Sequence, residues 1–312
     1  MNSAIAQAAR LLPAPDVDEE AIRTFGRRLE ADGRSPHTVS AYQRDLRKFA
    51  RVLTSIQPGC SLDQVTPAML DMVLTDPAVS ETPSGVPRSA ASLHRFKAAV
   101  RSFFAWAEES GLIPENPARS VGMRRLPRTP PVFLTEAEKR RLLSALRGRS
   151  SILARRDRVI IELFLGTGIR LQELVSLDID DIDLDAKHLR IRAKGNVPQV
   201  KFLKSNLRSL LRRYLAERRK LGTASIALFL SSRTSRISSR QVANRVKFWL
   251  TEARIEKSLG PHGLRHSFAT HLYAATSDLL VVKRALGHRD ISTTEIYTHL
   301  VDGALEEALE RL

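Results

Sequence analysis

The sequence predicts a mainly helical protein of two domains, with one small antiparallel sheet set inside the second. Three observations carry this. Apolar residues recur at helical spacing through most of the chain, with glycine and proline between the runs. One stretch, 180–203, switches to a period of two. A segment rich in proline and arginine, "NPARSVGMRRLPRTPPVF", separates two blocks of helical pattern. A length of 312 residues suits two ordinary domains with real cores. Hydrophobic residues make up 43% and aromatic residues only 5%, so those cores must be built mostly from Leu, Ile, Val and Ala.

Residues 1–17 read as a lightly structured lead-in without the basic start and apolar run of a secretion signal. Residues 18–120 read as a helical domain. "DEEAIRTFGRRLEADG" is amphipathic and stops at Gly33. "SPHTVSAYQRDLRKFARVLTS" carries Pro36 in its first turn and a stripe of Val39, Tyr42, Leu46 and Phe49. "TPAMLDMVLTD" is a short third helix, and "PAVSETPSGVPRS" is a polar break. "AASLHRFKAAVRSFFAWAEESG" turns Leu93, Phe96, Val100, Phe103, Phe104 and Ala107 inward before Gly111 ends it. Residues 121–133 are a basic linker.

The second domain spans 134–312. "TEAEKRRLLSALRG" opens on a Thr cap with Glu in the first turn. "RRDRVIIELFLGTG" is a buried helix closed by a Gly-Thr-Gly break, and "RLQELVSL" begins another. Three strands with turns at "DAK" and "KGNVP" follow. Four helices come next: "NLRSLLRRYLAERRKLG", "SSRQVANRVKFWLTEARI", "HGLRHSFATHLYAA" and "LLVVKRALG". The last segment, "TTEIYTHLVDGALEEALERL", places Leu305, Ala308, Leu309 and Leu312 on one stripe.

Charge narrows the partner. Fifty Lys and Arg against 34 Asp and Glu give a net +16, which points to a polyanion, most often nucleic acid. Residues 1–125 hold 16 basic and 14 acidic residues, whereas residues 126–312 hold 34 and 20, so the second domain carries most of the attraction. The single cysteine, Cys60, permits no internal disulfide and no Cys-based metal site, which suits a reducing cytoplasm. No apolar run approaches the roughly 18 residues needed to cross a bilayer.

Four short motifs hold the reactive side chains. In "GPHGLRHSFATHL", Pro261 suits a helix start, and His262 and Arg265 share a face apart from the apolar stripe of Leu264, Phe268 and Leu272. Free N–H groups and the positive end of the helix dipole favour an anion there, and a phosphate is the natural one. In "LGTGIRLQEL", Arg170 opens a helix and Glu173 lies one turn on, where it can brace the guanidinium or form an ordinary surface pair. In "RIRAKGNVPQ", Lys194 sits at the tip or edge of a hairpin, where a lysine is ordinarily just solvated. In "LGHRDISTTEIYTHL", His288 follows a Leu-Gly break, and Ser292 to Glu295 match a capping box for a helix carrying Tyr297. Tyr42, Tyr214 and Tyr273 lie within amphipathic patterns and read as packing residues. His262, His266, His271, His288 and His299 lack a His-Glu-x-x-His arrangement and a cysteine partner, so no metal is expected.

Together these strings resemble the tyrosine recombinase, or phage integrase, family, from about residue 18 to 312. "HGLRHSFATHL" and "LGHRDISTTEIYTHL" are especially similar to Xer-type members. Two stretches depart from that pattern: "DPAVSETPSGVPRS" is longer than the corresponding turn, and "GNVPQVKFL" lacks the usual charged continuation after the hairpin lysine.

The resemblance implies a C-shaped DNA clamp, with a helical core-binding (SAM-like) domain and an α+β catalytic domain. It implies Tyr297 as nucleophile, Arg170 and Arg265 as phosphate ligands, His262 as base, Lys194 as acid, His288 as a helper of the phosphate or the tyrosine, and Glu173 as a brace. Arg124, Arg125 and Arg128 of the linker and Lys97 of the preceding helix are the candidate DNA-backbone contacts. No cofactor or metal is required, because arginines do a metal's work and the phosphotyrosyl bond conserves the energy of the broken one.

The partners implied are double-stranded recombination sites and a homo-tetramer held through the C-terminal stripe, with a paralogous recombinase or an accessory protein as a further possibility and no membrane. A type IB topoisomerase shares the chemistry without strand exchange, and a DNA-binding protein could keep the fold without cutting. The core-binding domain and C-terminal stripe favour the recombinase over the first, and the complete reactive set argues against the second.

Overall fold

The computed structural model describes residues 17–123, 131–193 and 197–287. The chain forms two compact units, one ending at Arg128 and the other beginning at Thr129. Among the described residues, no helix is long and apolar enough to cross a membrane.

The first unit is helical: α1 (Val17–Ala31), α2 (Pro36–Ile56), α3 (Pro67–Thr75), α4 (Pro77–Ser80) and α5 (Ala90–Glu109), with a short 3₁₀ turn at Leu62–Gln64. Ser35 and Thr66 accept hydrogen bonds from Thr38 N and Met69 N, and Pro36 and Pro67 occupy first-turn positions whose N–H would be idle. The core gathers Phe25, Val39, Leu46, Phe49, Val100, Phe103 and Phe104. Phe103 and Phe104 meet Phe25 and Phe49 edge-on at 5.5 and 5.6 Å. Ala118 and Val121 are also buried in it.

The stretch expected as a plain polar break differs. Asp76 caps the one-turn α4, Val79 is buried, and a bridge joins Glu81 to Pro87. The Asp-Pro pair starts a turn of helix as well as any longer motif, and Val79 anchors it.

The second unit comprises α6 (Glu136–Leu146), α7 (Ile152–Thr167), α8 (Leu171–Ser176), strands β1 (Ile182–Asp183), β2 (His188–Ala193) and β3 (Val197–Phe202), then α9 (Ser205–Arg219), α10 (Ser239–Glu252), α11 (Pro261–Thr276) and α12 (Leu279–Leu286). The three strands form an antiparallel sheet in sequence order. α7 is the centre, with α9, α10, α11 and α6 packed around it; Val159, Leu163 and Phe164 are fully buried.

A network of hydrogen bonds crosses this core. The Asp157 carboxylate accepts from Arg156 Nε and Nη2, from Arg245 Nε at 2.6 Å and from Trp249 Nε1 at 2.9 Å. Tyr214 is buried, donates to the Leu228 carbonyl and is pushed up to about 12, chiefly by burial.

Candidate active site

The site begins where α7 ends. Gly168 adopts the left-handed conformation (φ 60°) that closes α7, and a Cβ there would overlap Phe268 and Leu286. The chain therefore turns tightly beneath α11 and α12, and Arg170 emerges at the start of α8. Glu173, one turn on and 6% exposed, grips that start twice. One carboxylate oxygen accepts from Arg170 N and the other from Arg170 Nη1, both at 2.8 Å. The guanidinium is aimed by a buried carboxylate, and its remaining donors are left for something else.

Arg265 comes from α11, whose first residue is Pro261. Its face lies apart from the Leu264, Phe268 and Leu272 stripe, yet it is 3% exposed. Nη1 donates to the Gly168 carbonyl, and Nη2 donates to the Leu286 carbonyl at 2.8 Å. The apolar stripe beside it was read correctly, but α12 and the Gly168 turn fold over the polar face and cover it.

His262, one turn earlier, keeps contact with solvent. Partial burial lowers its pKa, and the positive charges of Arg265 and Arg170 lower it further. Its ring meets His266 edge-on at 4.5 Å. His266 is pushed down to about 4 by burial, His262 and Arg265, so both imidazoles are neutral at pH 7. A neutral imidazole beside two guanidiniums can accept a proton.

A fifth group was not anticipated. Lys201 on β3 is 4% exposed and donates to the Ala285 carbonyl. Burial pushes it down to about 8, with Arg265 next in effect, while Glu173 acts against the shift. Its signal in the sequence is a strand whose polar and apolar positions are reversed, described below.

Among the described residues, Arg170, Arg265, Glu173, His262 and Lys201 are thus one electrostatic cluster. It holds three cations around a single carboxylate. Lys194, His288 and Tyr297 lie outside the described residues, as do Arg124, Arg125 and Arg128. Lys194 falls between the ends of β2 and β3, and His288 immediately follows Gly287, which caps α12 with φ 67°. No group of three or more His, Cys, Asp or Glu suited to a metal occurs among the described residues.

In the first unit, Lys97 lies half-buried on α5. A second basic cluster there was missed: Lys48 and Arg51 of α2 line a cleft with Arg88 and the Asp76–Pro77 turn. Lys48 is lowered by burial, then by Arg88 and Arg51. Its parts lie about forty residues apart, so no local motif announces it.

Two arginines, one steered by a buried carboxylate, next to a histidine whose pKa is lowered at a helix start, offer the charge and donors that suit a phosphate. The comparisons with known proteins agree. Residues 132–303 match the phage integrase family, and residues 22–111 match the phage integrase N-terminal SAM-like domain. The chain is 36% identical over 285 residues to the tyrosine recombinase XerC of Mycobacterium tuberculosis, covering 89% of this chain and 93% of that one. It is 33% identical over 274 residues to XerC of Thermodesulfovibrio yellowstonii, covering 86% and 87%.

Among solved structures, XerH site-specific recombinase bound to a palindromic difH substrate in a post-cleavage complex is similar with a TM-score of 0.71 and 26% identity, covering 87% of this chain and 78% of that one. XerA recombinase gives 0.53 and 26%, covering 94% and 98%. The chain belongs to the phage integrase family: it is a tyrosine recombinase, an enzyme that cuts and rejoins DNA in site-specific recombination.

Proposed function

We propose that the chain exchanges strands between two double-stranded DNA sites through a 3′-phosphotyrosyl link to Tyr297. The observation that carries this is the gathering of positive charge at the cluster: Arg170 is positioned by Glu173 and Arg265 by the Gly168 and Leu286 carbonyls, and their charge is suited to a phosphodiester.

In the first step the Tyr297 oxygen bonds to phosphorus and the bond from phosphorus to the 5′-oxygen breaks. Tyrosine ordinarily titrates near 10, so the attack needs a base. His262, neutral at pH 7, takes the phenolic proton, and Lys194 returns one to the departing 5′-oxygen. Arg170 and Arg265 hold the equatorial oxygens as charge gathers on them. His288 hydrogen-bonds the phosphate or steadies the tyrosine. The 5′-hydroxyl of a second strand then attacks the phosphotyrosine, releasing Tyr297 and sealing the new junction.

Arg124, Arg125, Arg128 and Lys97 contact the phosphate backbone. The active assembly is a homo-tetramer on two sites, working in the cytoplasm. An apolar cleft of about 460 Å³ supports a partner segment: Val200, Phe202, Phe268, Leu272 and Val281 line it, and Phe202 is 80% exposed. The C-terminal stripe of a neighbouring copy suits such a surface.

The test is a two-site plasmid assay, with the site obtained by sequencing DNA covalently trapped on the protein. The parent is expected to convert two sites into recombinant products, and Tyr297→Phe to bind the site but make none. Relaxation of supercoils without recombinant products would instead assign topoisomerase action.

A further inference from the structure

β3 carries an inverted pattern. Residues paired directly across an antiparallel ladder point to the same face. Leu189 and Ile191 of β2 are buried, and their partners on β3 are Lys201 and Gln199. The apolar residues Val200 and Phe202 face outward, 46% and 80% exposed. A strand that turns its polar side chains inward and its apolar ones outward breaks the rule by which strands are stabilised, and such breaks mark functional positions.

Both inward residues meet the last turn of α12, where the Arg284 carbonyl also accepts from Gly287 N at 3.2 Å. The Lys201 ammonium donates to the Ala285 carbonyl, and the Gln199 amide nitrogen lies 3.5 Å from the Arg284 carbonyl. Arg265 takes the next carbonyl, Leu286. Three successive carbonyls therefore face three side chains, two of them cationic, at the negative end of the helix dipole. Gly287 completes the fit, because its left-handed φ and the lack of a Cβ let it lie against the Gln199 amide.

We propose that Lys201, assisted by Gln199, is a positioning residue for strand cleavage: it pins the end of α12 to β3, so that the chain leaving α12 toward His288 and Tyr297 is fixed relative to the Arg170–Arg265 pair. This rests on Tyr297 being the nucleophile. In sequence β3 follows Lys194 and α12 precedes Tyr297, so the clamp joins the strand after the proposed acid to the helix before the proposed nucleophile. Lys201 reaches a backbone carbonyl rather than open solvent, which distinguishes its part from that of a proton donor to DNA.

The experiment is single-turnover cleavage at saturating enzyme of a nicked duplex bearing the trapped site. It is run with an ordinary 5′-oxygen and with a bridging 5′-sulfur, which departs without needing a proton. Lys201→Met is expected to slow adduct formation about ten- to a hundred-fold on both substrates, with DNA affinity within about threefold of the parent. Lys201→Arg, which keeps a cationic donor, should recover part of the loss. These factors correspond to loosened positioning rather than lost chemistry. Lys194→Ala, by contrast, is expected to be slow on oxygen and restored by sulfur.

Cleavage by Lys201→Met within about twofold of the parent would overturn the clamp. So would a defect that sulfur repairs, which would make Lys201 the acid. If Lys201→Met does not fold, Gln199→Ala decides: a loss of about three- to tenfold supports the clamp, and an unchanged rate refutes it. Failure of the underlying nucleophile reading shows separately, as an adduct that persists in Tyr297→Phe.

Discussion

Two charged clusters in the second unit resemble each other in composition and differ in closure. Around Asp157, one carboxylate accepts four hydrogen bonds, from Arg156, Arg245 and Trp249, and Arg156 sends a further donor to the Leu230 carbonyl at 2.6 Å. Both carboxylate oxygens are saturated by the protein. In the second cluster the Glu173 carboxylate accepts from Arg170, while Arg265 and Lys201 donate to main-chain carbonyls. A carbonyl dipole offsets a buried cation less than a carboxylate does. The first cluster stabilises the fold; the second holds positive charge ready for an anion that arrives with the substrate.

The largest effect that sharpens this contrast is on catalysis. Arg265→Lys should lower adduct formation by about 10²–10³-fold, the usual cost of losing a preorganised donor to a transition-state oxygen. Lysine carries the charge but lacks the planar fork that reaches two carbonyls and a phosphate together. DNA affinity, measured by titration of the nicked site, should stay within a few-fold. Equal cleavage by Arg265→Lys would mean that charge alone suffices.

Asp157→Ala should act in the opposite sense. Leaving Arg156 buried without its carboxylate should cost about 3–5 kcal/mol of stability in urea denaturation. Cleavage per folded molecule should be unchanged. A cleavage defect without a stability loss would erase the distinction between the clusters.

The pH dependence gives a finer test. The folded protein holds Lys201 at about 8, below its ordinary value of 10.5, so at pH 7 a buried cation is retained at a cost. Between about 8 and 10.5 the unfolded chain binds the extra proton, so this contribution to stability grows as pH rises through that window. Lys201→Met removes the cost, so at pH 7 its melting temperature should equal or exceed that of the parent even as cleavage slows. A clear drop would place Lys201 among residues that support the fold.

His266 should give the smallest effect. Its folded pKa of about 4 lies below the ordinary histidine value of 6.5. The stability of the neutral form is complete above about 6.5 and is lost as pH falls toward 4. His266→Gln should flatten the acid side of the stability profile over that range.

Much of the fold was legible because its signals are local. The Thr135–Glu138 capping box, the Pro36 and Pro261 starts and the glycine stops depend on residues within one turn, and the structure places helix ends there. The contact of Arg170 with Glu173 was legible for the same reason, since they lie three residues apart.

The burial of Arg265 was not legible. Its carbonyl partners, Gly168 and Leu286, are 97 and 21 residues away, and helical spacing says only which residues share a face, not what folds over it. Asp157 was hidden likewise, because Arg245 and Trp249 are 88 and 92 residues distant. Lys201 left a trace: "VPQVKFL" alternates, but with Gln and Lys in register with Ile191 and Leu189. Reading that required the pairing register of β2 with β3, which composition alone does not fix.

The central claim is that the open cluster presents a phosphodiester to Tyr297. Peptide mapping of the covalent DNA adduct trapped on a nicked site tests it most directly. The expected result is a single modified peptide, containing Tyr297, whose yield falls by orders of magnitude in Arg265→Lys and vanishes in Tyr297→Phe. An adduct on any other residue, or a Tyr297 adduct that forms at the parent rate without Arg265, would contradict it.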